Sequence, residues 1–146
     1  MQVFFDTSVL VAAFVQDHPH YAQALPALRR VGASKDHGFI STHSIAEVYT
    51  TLTRLPVQPR IHPAEAARIV TDNILGHFEV VALFKEDYLA ALSSVQLGGW
   101  PGPRIYDALL LVAAAKCNAE RVYTFNLKDF ILLAPPSLQG KLSAPS

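Results

Sequence analysis

Four short runs rich in β-branched and aromatic residues, at 2–6, 38–41, 79–83 and 121–125, are separated by helical patterns. This alternation constrains the fold more than any other feature of the chain. Strands divided by crossover helices pair in parallel, and a parallel sheet has to be covered on both faces. The helices are read from apolar spacing: Tyr21, Ala24, Leu25 and Leu28 between about 20 and 30, and Ile45, Val48, Leu52 and Leu55 between about 44 and 55. Others are expected at about 7–15, 64–77 and 87–97. The stretch 104–117, with "ALLLVAAA" apolar on every side, is expected to be a central helix. Pro56, Pro59 and Pro63 mark a loop inside one domain, since the segments flanking them are too short to fold separately. With 146 residues the chain reads as a single domain over 1–134, followed by a partly flexible tail, 135–146, that is poor in core residues.

The chain is 51% hydrophobic with only 16% charged residues, which favours a partner surface or self-association. Its net charge is zero, so it has no general attraction for nucleic acid, and a phosphate substrate needs a local basic patch or metal ions. The single cysteine, Cys117, cannot form an internal disulfide and reads as a small core residue in a reducing compartment. No apolar run approaches the ~20 residues of a membrane span, so no membrane partner is expected and a cytoplasmic location is.

Parallel sheets place working residues at the carboxyl ends of strands and the first turns of the helices that follow. That rule selects Asp6, Asp107 and the segment Thr124 to Asp129, and Glu47 lies early enough in its helix to reach the same edge. Asp6 stands between two apolar runs, where burying an uncompensated charge costs several kcal/mol. Each acid also has an ordinary reading: Asp6 as an N-cap, Glu47 in a Ser44-x-x-Glu47 capping box or paired with Arg54, Asp107 favouring a helix N-terminus, and Asp129 opening a short helical turn. Taken alone, Glu47 is best read as a cap. A shared site explains all of the acids together.

"FFDTSVL", the acid in "SIAEVY", "IYDALLLVAAAKCNAERVYTFN" and "NLKDF" resemble, in order and spacing over nearly the whole chain, a PIN domain, and more closely the VapC-type toxins of bacterial toxin–antitoxin pairs. The resemblance implies a three-layer α/β/α fold with a central, mainly parallel sheet, and a Mg²⁺- or Mn²⁺-dependent endoribonuclease. It implies that Asp6, Glu47 and Asp107 converge on the metal. Asn126 stands where many relatives carry a fourth acid, which leaves open a contribution from its carbonyl oxygen or from Asp129. A cognate VapB-type antitoxin, packing on apolar helices and presenting a basic residue to the carboxylates, and a homodimer are further implications.

The physical chemistry agrees with such a site. Two carboxylates about 6 Å apart, at an effective dielectric near 20, repel by roughly 3 kcal/mol, so a cluster needs a proton or a cation. Oxygen-only ligands favour Mg²⁺ or Mn²⁺ over zinc, and such an ion polarises a phosphodiester and acidifies a coordinated water. Thr7, Ser8 and Thr124 stand beside the acids as orienting groups or helix caps. Arg104, Lys116 and Lys128 are candidates for phosphate contacts or surface ion pairs, and Trp100 for a base stack or a packing role. The six histidines are read as surface or packing residues. A dehalogenase-type phosphohydrolase needs an acid at the position of Ser8, and a receiver domain needs an acid pair near the first strand; both are absent. The remaining alternative is a decayed, PIN-like interaction module, supported by Asn126 alone.

Overall fold

The computed structural model describes residues 1–146. Its centre is a five-stranded sheet, all parallel, in the order β3-β2-β1-β4-β5, with β1 at Gln2–Phe5, β2 at His37–Ser41, β3 at Glu79–Val81, β4 at Arg121–Tyr123 and β5 at Leu142–Ser143. Seven helices flank it: α1 (Thr7–Phe14), α2 (Tyr21–Gly32), α3 (Thr42–Arg54), α4 (Pro63–Arg68), α5 (Lys85–Gly98), α6 (Arg104–Lys116) and α7 (Leu127–Leu133).

Strand alternation sorts the core into two layers. Val3 and Phe5 point to one face and pack with Val9 and Leu10 of α1, Val31 of α2, and Val48 and Leu52 of α3. Phe4 points to the other face, against Leu109 and Leu110 of α6 and Phe130 of α7. Both faces are covered, as a parallel sheet requires. Helix α6 buries Ala108 through Leu111 together with Ala113 and Ala114, as its uniformly apolar sequence demands. Cys117 follows it, half-buried. Its thiol donates to the carbonyl of Ala114 at 3.3 Å, and burial pushes its pKa up to about 11, which makes it unreactive.

Two expectations need correction. The helix read at 64–77 is two pieces, because α4 passes at Ile69–Ile74 into π-helical turns; these still bury Val70 and Ile74, so apolar periodicity is preserved while the hydrogen-bond ladder changes. The segment 135–146, read as a partly flexible tail, contains a short 3-10 turn at Pro136–Leu138 that buries Leu138, and the edge strand β5, paired in parallel with β4. A two-residue strand is too short to register as a sequence pattern. Helix α3 starts earlier than expected, at Thr42, for a reason that bears on Glu47 and is taken up below.

The α2 layer approaches β2 at Gly38, where a methyl group would lie 2.7 Å from the Phe78 ring and 2.8 Å from Cγ1 of Val31. Gly38→Ala is expected to destabilise the fold by about 1–3 kcal/mol, the usual range for overpacking. A urea midpoint unchanged from wild type would show that this layer is looser than the distances indicate.

Candidate active site

The carboxyl edge of the sheet gathers side chains from four distant segments. Asp6 follows β1, and its backbone N–H is tied to the carbonyl of Tyr123 at 2.9 Å, so the ends of β1 and β4 are locked together. Asp6 occupies the N-cap position of α1 but makes no capping bond. Its carboxylate instead accepts the hydroxyls of Ser8 at 2.7 Å and Thr124 at 2.8 Å, both on Oδ2. Each hydroxyl is itself oriented by a backbone donor: Phe125 N–H donates to Ser8 at 3.1 Å and Asn126 N–H to Thr124 at 2.9 Å. With those lone pairs engaged, each hydroxyl proton is directed at Asp6. Oδ1 has no side-chain donor. Thr7, on the same turn, donates its hydroxyl to Oε1 of Glu47.

Glu47 is free for this because it caps nothing. Helix α3 is capped by Ser41, which accepts from Ser44 N–H at 3.1 Å while the Ser44 hydroxyl accepts from Ser41 N–H at 3.2 Å. The reciprocal box is thus Ser41/Ser44, one turn before the expected Ser44/Glu47. The pairing of Glu47 with Arg54 is likewise replaced, since its other oxygen lies 3.9 Å from Nε2 of His43. Asp107, in the first turn of α6, accepts from the side-chain amide of Asn126 at 3.3 Å. Asn126 therefore turns its nitrogen, not its carbonyl oxygen, toward Asp107.

Asp6, Thr7, Ser8, Glu47, Asp107 and Asn126 line one cavity of about 430 Å³, together with His18, Thr51 and Phe125. Crowding is visible in the titration of these groups. Burial raises the Asp6 carboxyl above its ordinary 3.8, with Glu47 adding to the effect and the Ser8 and Thr124 hydroxyls opposing it. Asp107 is pushed up to about 7 by burial first, then by the charges of Asp6, Glu47 and Asp129, with Arg104 opposing. As the side chains stand, no three Asp, Glu, His or Cys groups close on a common point. The donor set is nonetheless all oxygen, it carries excess negative charge, and one Asp6 carboxylate oxygen has no side-chain donor, which is the chemistry a hard divalent cation relieves.

The other candidates are placed as follows. Asp129 does not reach back to Asp107 but pairs with Nη2 of Arg104 at 3.1 Å. Arg104 lies with its guanidinium 4.4 Å from the centre of the Trp100 ring, and its Nη1 is buried without a hydrogen-bond partner. Trp100 is thus a half-buried prop for Arg104 and packs against the α6 layer. Lys116 is committed elsewhere, to Asp87 at 2.7 Å and the carbonyl of Ala82 at 2.7 Å. Sequence reasoning assigned His18 to surface or packing. It lines the site cavity, accepts His20 N–H on Nδ1 at 3.0 Å, and has its pKa lowered by burial and by His20. Nothing local signals this, because the loop between α1 and α2 returns to the sheet edge only in three dimensions.

The chain has relatives among known proteins. The PIN domain family profile matches residues 3–133. Ribonuclease VapC27 of Mycobacterium tuberculosis is 30% identical over 115 residues, 79% of this chain and 78% of that protein. Ribonuclease VapC40 of the same species is 31% identical over 79% of this chain and 80% of its own. In three dimensions the fold matches Mycobacterium tuberculosis VapC20, a sarcin-ricin loop cleaving toxin, with a TM-score of 0.68 at 19% identity, over 87% of this chain and 92% of that one. It also matches a chain of the VapBC2 complex of Rickettsia felis bound to a promoter DNA fragment, with a TM-score of 0.67 at 20% identity over the full length of both chains. These two likenesses speak for the fold alone. Profile and sequence relatives together place the chain in the PIN domain family, among the VapC-type proteins.

Proposed function

We propose that the protein is a divalent-metal-dependent endoribonuclease, the toxin of a toxin–antitoxin pair, with Asp6, Glu47 and Asp107 as its metal-holding carboxylates. The observation that carries this reading is the convergence of acids from β1, α3 and α6 on one cavity, where burial, and after it the charges of Asp6 and Glu47, push Asp107 up to about 7. The relatives named ribonucleases supply the reaction.

Bound here, Mg²⁺ or Mn²⁺ would supply Lewis-acid polarisation of a phosphodiester. The remaining work falls to the chain. Ser8 and Thr124 hold Asp6 in one rotamer, and Thr7 does the same for Glu47. Arg104, braced by Asp129 and Trp100, lines the neighbouring opening and brings a positive charge there for a phosphate. Asn126 and Asp129 contribute by orienting Asp107 and Arg104, not as a fourth acid.

A VapB-type antitoxin is the partner this reading implies, in keeping with the neighbouring VapBC2 complex. The exposed Leu89 and Leu92, neighbours on the surface of α5, supply an apolar patch that suits a second copy of the chain. No helix is long and apolar enough to cross a membrane. The test is incubation of the purified protein with a panel of structured RNAs in Mg²⁺, in Mn²⁺ and in chelator. Cleavage with either ion and none in chelator is expected; cleavage that persists in chelator would overturn the metal assignment.

A further inference from the structure

The acids sit on a saddle between two openings. Glu47, Asp107 and Asn126 line the 430 Å³ cavity and also a second one of about 400 Å³ on their other side, walled by Pro101, Pro103, Arg104, Tyr106 and Asp129. Each opening carries its own aromatic pair. On the first side His18 and Phe125 form part of the wall, and His20 stacks on Phe125 with centroids 4.2 Å apart and planes 13° from parallel. The His18 ring lies 5.8 Å from that of His20, completing a group of three. On the second side Tyr106 is 45% exposed and stacks on His43, with centroids 5.0 Å apart and planes 9° from parallel.

Phe125 packs against the core beneath it, whereas Tyr106 is an exposed large aromatic that belongs to neither hydrophobic cluster. A ring held by a parallel neighbour is already ordered, so a planar ligand adding to the stack loses little further entropy. Charge points the same way. With a net charge of zero the chain has no general attraction for a phosphate backbone, so contacts to the bases add to what Arg104 and a divalent ion supply locally.

We propose that the two aromatic groups are nucleobase platforms, one on each side of the carboxylates, with Tyr106/His43 taking a base on one flank of the bond to be cut and His18/Phe125 a base on the other. This rests on the ribonuclease reading and extends it to the form of the substrate. The strand crosses the saddle unpaired, with its backbone passing Arg104, and at least one nucleotide is required on each side of the cut. Stacking tolerates every base, so each platform sets a graded preference at one position and not a strict code.

The probe is an RNA hexamer kept intact by chelator, with affinity read by fluorescence anisotropy for the full chain and for Y106A, Y106F, H18A and H18F, each checked for an unchanged melting temperature. Both alanine variants are expected to bind roughly tenfold more weakly, and both phenylalanine variants within about twofold of wild type, in line with base–aromatic stacking. Sequencing of cleavage ends gives the second readout: Y106A flattens base preference on one side of the cut and H18A on the other. Alanine variants that bind as wild type does, a hexamer that is not bound at all, or two variants that flatten the same side would each overturn the platforms. A chain that binds the hexamer through these rings yet cuts no RNA in Mg²⁺ or Mn²⁺ retains the platforms and loses the ribonuclease reading.

Discussion

Asp6→Asn is expected to lower the rate of RNA cleavage by a factor on the order of 10³ or more while leaving the protein folded. The substitution is nearly isosteric, and the amide oxygen can still accept the Ser8 and Thr124 hydroxyls that now meet on Oδ2. What disappears is the negative charge. Because burial already disfavours that charge, its loss costs the fold nothing comparable to its cost in function. Cleavage rates in Mg²⁺, measured beside far-ultraviolet circular dichroism and melting temperature, separate the two effects. A variant that is folded and cleaves within tenfold of wild type would remove Asp6 from the reaction.

The second large effect is on stability. Asp107 titrates at about 7 in the metal-free protein against an ordinary 3.8, so between these values the native state holds a proton that the unfolded chain has released. Native stability therefore falls as pH rises through that window and levels off above it. Three units correspond to about 4 kcal/mol in full. Partial exposure of the group and its coupling to Asp6 reduce this to roughly 2 kcal/mol, or about 5 °C in melting temperature for a domain of this size. Asp36 and Asp87 are shifted downward by Arg30 and Lys116, and their contributions are complete above the ordinary 3.8, outside the window. His18, shifted downward, works in the opposite direction as pH rises toward its ordinary 6.5.

Comparison with Asp107→Asn isolates the term. The variant is expected to match wild type at pH 5 and to melt higher at pH 8 without metal. Mg²⁺ is expected to stabilise wild type more at pH 8 than at pH 5, where it has to displace a proton, and to do little for the variant. Parallel pH profiles for wild type and variant, both without metal, would show that Asp107 is not under the strain assigned to it.

Much of this was legible in the sequence because the relevant signals are local. Val3, Phe4 and Phe5 alternate between two helical layers, and the end of β1 sets Asp6 at the sheet edge; Asp107 was legible as a first-turn acid of the central helix α6. Glu47 was harder. Its spacing from Ser44 fits a capping box, and only the actual start of α3 at Thr42 shows that Ser41 and Ser44 satisfy the helix and release the acid. Partners supplied by distant segments left no trace in the pattern: the Arg104–Asp129 brace, the cavity position of His18 and the edge pairing of β5 all depend on loop paths that residue type does not encode. The family resemblance supplied the expectation of convergence, and the geometry adds an amide that faces Asp107 through its nitrogen.

The place of β1 between β2 and β4 carries a consequence for biosynthesis. Asp6 leaves the ribosome early, but the hydroxyl of Thr124 that fixes it lies 118 positions later, and the amide facing Asp107 is translated after that. Until this last segment emerges, the central strand lacks one neighbour and the carboxylates have no common cavity. The carboxyl edge of the sheet is therefore assembled only once nearly the whole chain has been made.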